Sequence, residues 1–151
     1  MYFFEDFAPG QVYELGFVQV HEEEMVAFAR RFDPQPFHVD RQAAASSSYG
    51  RLIASGWYTC SLFMRLYVDG LLRNSSSHGS PGVEDLRWLH PVEPGDVLSG
   101  HFEVLKTRPS SRRPNRGTVL FSSEMTNQDD VAVLRMRGRG LFGRRSPARP
   151  M

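Results

Sequence analysis

A single cysteine, Cys60, leaves the chain without the means for an internal disulfide or a cysteine-based zinc site. So few thiols also suit a reducing compartment, and a cytoplasmic protein is expected. No stretch approaches the roughly 18 uninterrupted apolar residues of a helical membrane span, so no membrane association is expected. The opening residues MYFFEDFAPG carry acids where a secretory signal needs a basic end and an apolar run. Neither sign of charge is in excess: 18 Lys+Arg stand against 17 Asp+Glu, a net charge of +1. Nothing in that balance calls for nucleic acid as a partner of the whole domain. His21, His78, His90 and His101 lack metal-ligand spacing, and no metal is expected.

What is present is ordinary for a folded domain. The chain has 151 residues, 40% hydrophobic and 23% charged, long enough to bury one core. APG at positions 8–10 signals a turn, and QVYELGFVQV after it is rich in strand formers, with Gly16 placed for a bulge. HEEEMVAFARRF has acids early and arginines late, the polarity that a helix dipole favours. Met25, Phe28, Ala29 and Phe32 recur there at helical spacing and predict one buried stripe. The longest helix is predicted from about Gly56 to Arg73, apolar on most sides and therefore central, with Cys60 as a small core residue. NSSSHGSPG makes a flexible connection out of it. GVEDLRWLHPV, DVLSGHFEVLKT, GTVLFSSEMTN and VAVLRMRGRGLF then read as four strands, with NQDD as a hairpin turn. This order predicts an α+β domain over residues 1–143, an antiparallel sheet of about five strands wrapped around one apolar helix. Residues 144–151 form an expected flexible basic tail.

The chemistry concentrates in FDPQPFHVD, residues 32–40. Two prolines stiffen the backbone and remove amide donors, so Asp33 and His38 are expected on a rigid loop. Rigid presentation of an acid and an imidazole suits acid–base work. Asp40 is expected to cap a short helix through RQAAA. The loop KTRPSSRRPNR gathers five basic residues and no acid, a pattern of solvated loops that also suits phosphate.

FDPQPFHVD, followed by IASGW and HPVEPGDVL, resembles the MaoC-like hydratases and dehydratases of the hot-dog fold, which include the (R)-specific enoyl-CoA hydratases. The family's active loop runs D-x-N-P-x-H-x-D. Asp33, Pro36, His38 and Asp40 fall in register, while Gln35 takes the asparagine position. The resemblance implies a homodimer, with Asp33 and His38 as the acid–base pair. It implies reversible syn addition of water to a trans-2-enoyl-CoA, giving a 3-hydroxyacyl-CoA. Coenzyme A enters only as part of the substrate, and no cofactor is expected. The Gly56 backbone amide, at a helix start, is expected to hold the thioester oxyanion. Gln35, Phe37, Trp57, Met64, Arg112 and Arg113 are the expected substrate contacts, the two arginines through phosphate. Met64 stands where some (R)-hydratases carry a serine. Two other readings remain open at this level: a hot-dog thioesterase using Asp33, and a non-catalytic acyl-binding subunit.

Overall fold

Strand formers beyond the turn at positions 8–10 make β1 (Val12–Gln19), and Gly16, at φ +92°, marks the bulge where its register slips. The computed structural model describes residues 1–146 of the chain. Helix α1 (Glu22–Phe32) follows, then two short helices, α2 (Pro36–Val39) and α3 (Arg41–Ala45), and the long α4 (Gly56–Gly70). The remaining strands are β2 (Gly82–Trp88), β3 (Val97–Pro109), β4 (Arg116–Thr126) and β5 (Ala132–Gly143). All five strands pair antiparallel in the order β1-β3-β4-β5-β2, which leaves β1 and β2 at the edges.

Alternation decides which face of the sheet meets the helix. Along β4 every second residue is buried, and Val119, Phe121 and Met125 point inward with Phe102 of β3 and Phe142 of β5. α4 answers with Tyr58, Leu62, Phe63, Leu66 and Tyr67. Tyr67 stacks on Phe102 at 5.3 Å between ring centroids and leans on Phe121 at 5.5 Å. The sheet thus curls around one helix, the α+β arrangement expected from the order of elements.

Several expectations need correction. Phe32 does not complete the buried stripe of α1: it is 62% exposed, with the Arg31 guanidinium over its ring, while Met25 and Ala29 carry the burial. His38 sits in a helical turn rather than a loop, because Pro36 occupies the first turn of α2, where its missing N–H costs nothing. α4 ends at Gly70, and Leu72–Asn74 form a separate 3₁₀ turn. Nor is α4 buried all round, since Trp57 and Met64 are 57% and 46% exposed. The connection after it is pinned: Ser76 Oγ donates to the carbonyls of Tyr2 and Gly143. The basic loop is shorter than its composition suggests, because Lys106–Pro109 continue β3 and Arg116 opens β4. At the C-terminal end, Arg144 pairs with Glu5 and Arg145 with Asp6, so these two residues are tied to the first turn. Residues 147–151 of the expected tail lie outside the described residues. Among the described residues no helix is long and apolar enough to cross a membrane.

The C-terminal end of α4 rests directly on the edge strand. A Cβ on Gly70 would lie 2.8 Å from both Cα and the carbonyl oxygen of Leu15, and backbone atoms cannot swing aside. Gly70→Ala should therefore destabilise the fold by about 1–3 kcal/mol, read as a lower midpoint in urea unfolding. An unchanged midpoint would show that α4 can lift off β1 freely.

Candidate active site

Asp33 is the last residue held by α1: its N–H donates to the Ala29 carbonyl at 2.8 Å, and Pro34 prevents continuation. The chain re-enters helix at Pro36, and this three-residue break brings His38 back over Asp33. His38 Nε2 lies 3.3 Å from Asp33 Oδ2, and both side chains are largely buried. His38 Nδ1 is 2.8 Å from the Ile53 carbonyl oxygen. A carbonyl has no proton to give, so Nδ1 carries the hydrogen and Nε2 of the neutral ring keeps its lone pair. The Ile53 N–H in turn donates to the Phe37 carbonyl, so Ile53 grips α2 from both sides of its peptide.

Two donors aim the carboxylate. Gln35 Nε2 donates to Oδ1 at 2.7 Å, and Ser55 Oγ donates to Oδ2 at 2.7 Å. Burial alone raises the Asp33 pKa, but these two hydrogen bonds, with the charge that His38 carries when protonated, outweigh it and hold the carboxyl below its ordinary value. Gln35, expected as a substrate contact, is thus engaged in bracing the acid. Asp40 caps α3 as expected, accepting from the amides of Gln42 and Ala43.

Ser55 also caps α4, its Oγ accepting from the Trp57 N–H at 3.3 Å. The Gly56 amide, next to that cap, has no acceptor among the described residues. A Cβ at Gly56 would come within 2.5 Å of the Trp88 indole, whose Nε1 donates to the Gly56 carbonyl at 2.8 Å. Glycine is required here because an aromatic ring lies flat against the helix start. Asp33, His38 and Gly56 all line one cleft of about 460 Å³, with Phe37 and Trp57 among its walls. A second, strongly apolar cavity of about 340 Å³ runs along α4 toward β2 and β5. Trp57 lines both, and Met64 lines the second. Cys60 also faces this cavity rather than the core proper, and burial raises its thiol pKa.

Arg112 and Arg113 are not brought to this site. They lie on the turn between β3 and β4, whereas the cleft opens where Trp88 pairs across Leu134 and Met125 to Gly100. Nine residues of β3 separate Gly100 from Pro109, roughly 30 Å of strand. Neither arginine lines either cavity of its own subunit. Among the described residues no three His, Cys, Asp or Glu side chains converge as metal ligands. Sequence reasoning overlooked Ser55, Ile53 and Trp88. Ser55 carried a signal, a serine immediately before a helix-opening glycine. Ile53 acts through its backbone, and the Trp88 contact is made across the sheet, so neither leaves a local mark.

An antiparallel sheet around one helix, with an acid–imidazole pair at that helix's start, defines a hot-dog protein with an acid–base site. Residues 6–125 match the family model described as MaoC like domain, and the chain belongs to that family. YdeM of Bacillus subtilis, an uncharacterised protein, is 30% identical over 129 residues, 85% of this chain and 90% of that one. The crystal structure of a MaoC-like dehydratase from Rhodospirillum rubrum is 38% identical with a TM-score of 0.88, covering 100% of both chains. An unliganded R-hydratase from Pseudomonas aeruginosa shares the fold, with a TM-score of 0.75 at 23% identity over 99% of this chain and 94% of that one.

Ser55 offers a test of how the acid is held. Because the folded pKa of Asp33 is depressed, its contribution to stability is full above the unfolded carboxylate value and is lost as pH falls through the folded one. Ser55→Ala removes one lowering hydrogen bond and the cap together, and should cost about 1–2 kcal/mol at neutral pH. In acid the deficit should shrink to the share of the cap, as wild type loses what Asp33 supplied. Urea midpoints across the acid range check this; a deficit constant with pH would show that Ser55 acts on α4 alone.

Proposed function

We propose that this chain is a hydratase and dehydratase of acyl thioesters, adding water reversibly and syn to a trans-2-enoyl-CoA to give the 3-hydroxyacyl-CoA. One observation carries the reading. With the His38 ring neutral, its Nε2 and Asp33 Oδ2 are two acceptors 3.3 Å apart that face the same cleft, and the Gly56 amide on its wall has no acceptor among the described residues. Two acceptors so close call for a shared donor, and a water molecule can give a proton to each. MaoC-family membership and the R-hydratase fold support the same class of chemistry.

In the hydration direction Nε2 takes a proton from the water as its oxygen bonds to C3 of the enoyl group. The C2–C3 π pair moves toward the thioester carbonyl, whose oxygen gains charge and accepts from the Gly56 N–H at the N-terminus of α4. A proton delivered to C2 from the same face completes syn addition. Asp33 holds the water and, with its pKa lowered, stores a proton poorly, so the proton that Nε2 accepts is the one returned to C2. Dehydration runs the same steps in reverse. The acyl chain lies past Trp57 into the apolar cavity, where Met64 packs against it.

A second copy completes the assembly. β2 is an edge strand with Val83, Trp88 and the following Leu89 exposed, an apolar margin beside both cavities. A homodimer paired there would cover the edge and close the cleft mouth. Sedimentation should give twice the chain mass, and Val83→Lys should weaken the dimer and turnover together. A fully active monomer would remove this element.

For the reaction, loss of the conjugated thioester absorbance on a panel of trans-2-enoyl-CoAs is the direct measurement. Asp33→Asn and His38→Ala should keep the fold while lowering kcat by about 10²–10⁴-fold. The thioester should survive, with no free thiol. Thiol release would identify a thioesterase, and near-normal turnover in both variants would reduce the pair to a structural contact.

A further inference from the structure

The apolar cavity has a buried phenol in its wall that the proposed reaction does not use. Tyr67 is 6% exposed, and its ring is held between Phe63, Phe102 and Phe121 at centroid distances of 5.3–5.7 Å, so it has no freedom to swing away. Its hydroxyl has no hydrogen-bond partner among the described residues, and burial alone pushes its pKa up. It lies in the cavity wall beside Gly140, which also lines the cavity: a Cβ there would sit 3.4 Å from the phenol oxygen. The two serines of the wall already make hydrogen bonds. Ser77 Oγ accepts from the Gly79 N–H, and Ser80 Oγ is tied to both polar groups of the Gly82 backbone.

We infer that Tyr67 is a specificity residue, donating its hydroxyl proton to a neutral oxygen carried on the acyl chain, a keto or hydroxyl group well beyond C3. This inference rests on the acyl-thioester reading above and deepens it by naming a substrate class. The chemistry of the wall selects the ligand. A phenol kept protonated by burial donates, so the partner is an acceptor. No Lys, Arg or His lines the cavity, so a carboxylate entering it would be desolvated without a counter-charge. A neutral carbonyl or hydroxyl meets neither objection. Tyr67 is eleven residues beyond Gly56 on α4, roughly 16 Å along the axis, too far to reach the reacting carbons. That depth fits a functional group on a medium-length chain rather than on a short branched one. An all-methylene chain would leave the buried hydroxyl unpaired, which is the kind of mismatch by which polar sites discriminate.

Calorimetric titration with saturated thioesters tests this without requiring turnover. The probes are dodecanoyl-CoA and a series of keto-dodecanoyl-CoAs in which the carbonyl moves along the chain. Wild type should bind one or two adjacent isomers, those with the carbonyl at the depth of Tyr67, about five- to tenfold more tightly than the rest. Tyr67→Phe conserves volume and deletes only the unpaired hydroxyl, so the thermal midpoint should not fall. The variant should lose the preference for those isomers while binding dodecanoyl-CoA as well as before or better. A flat isomer series in wild type, or an equal change for all ligands in Tyr67→Phe, overturns the assignment and leaves the acyl-thioester reading standing. Failure of every acyl-CoA to bind overturns both.

Discussion

One hydroxyl joins the fold to its chemistry. Ser55 Oγ donates to the Asp33 carboxylate and accepts from the first turn of α4, so the helix that fills the sheet and the acid that closes α1 are fixed by the same atom. Asp33 is also positioned by Gln35, and His38 by the Ile53 carbonyl, but both of those contacts are local to the segment between α1 and α4. Ser55 sets that segment in register with the central helix, which Tyr58 also ties to α1 through its hydroxyl to Glu24. The Gly56 amide follows directly in the chain, which fixes the separation between the Asp33–His38 pair and the proposed oxyanion donor. A hydroxyl at the last residue before a helix is a common cap; here its second hydrogen bond carries the geometry of the site.

Packing around α4 explains why the site opens to one side. Gly70 lets the helix end lie on Leu15, and Gly56 lets Trp88 lie on the helix start, so both ends are held by contacts that admit no Cβ. Between them, one side of the helix buries Leu62 and Leu66 against the sheet. Its other flank, carrying Trp57, Cys60 and Met64, meets a cavity instead of a strand. The apolar character that predicts a fully enclosed helix is therefore divided between two uses, core and cavity wall. Composition alone does not separate these, because each asks for the same side chains.

The sequence revealed most of the architecture because its elements are strongly periodic and sharply punctuated. Gly16 marks its bulge, NQDD its hairpin, and Asp40 its cap, each through a local constraint on φ or on a backbone donor. Asp33 and His38 were legible through two prolines at fixed positions, although the backbone between them proved to be a helical turn started by Pro36. What was not legible is non-local. Phe32 follows the periodicity of α1 but falls beyond the covering layer. Arg112 and Arg113 have the chemistry for phosphate, yet strand length carries them to the opposite end of the sheet. Ile53 contributes a carbonyl that any residue would supply. Trp88 reaches Gly56 only because β2 returns to the edge beside β5.

Seen from its unpaired polar atoms, the molecule has few groups left free for chemistry. The second oxygen of Asp33 is taken by Gln35, and His38 Nδ1 by Ile53. Around the acid, that leaves His38 Nε2, the remaining lone pair of Asp33 Oδ2 and the Gly56 amide in one cleft, whose wall also carries Tyr49 and His90, and the Tyr67 phenol in the adjoining cavity. Ser123 Oγ is also buried without a partner, but it lines neither space and so can only cost stability. The distinction is physical: an unsatisfied group that faces a cavity can be satisfied by what enters, and its desolvation then counts toward recognition. Gln35 fits this division. One N–H of its longer side chain is committed to Asp33, and the rest of its amide, on the cleft wall, has no partner among the described residues and is open to what enters.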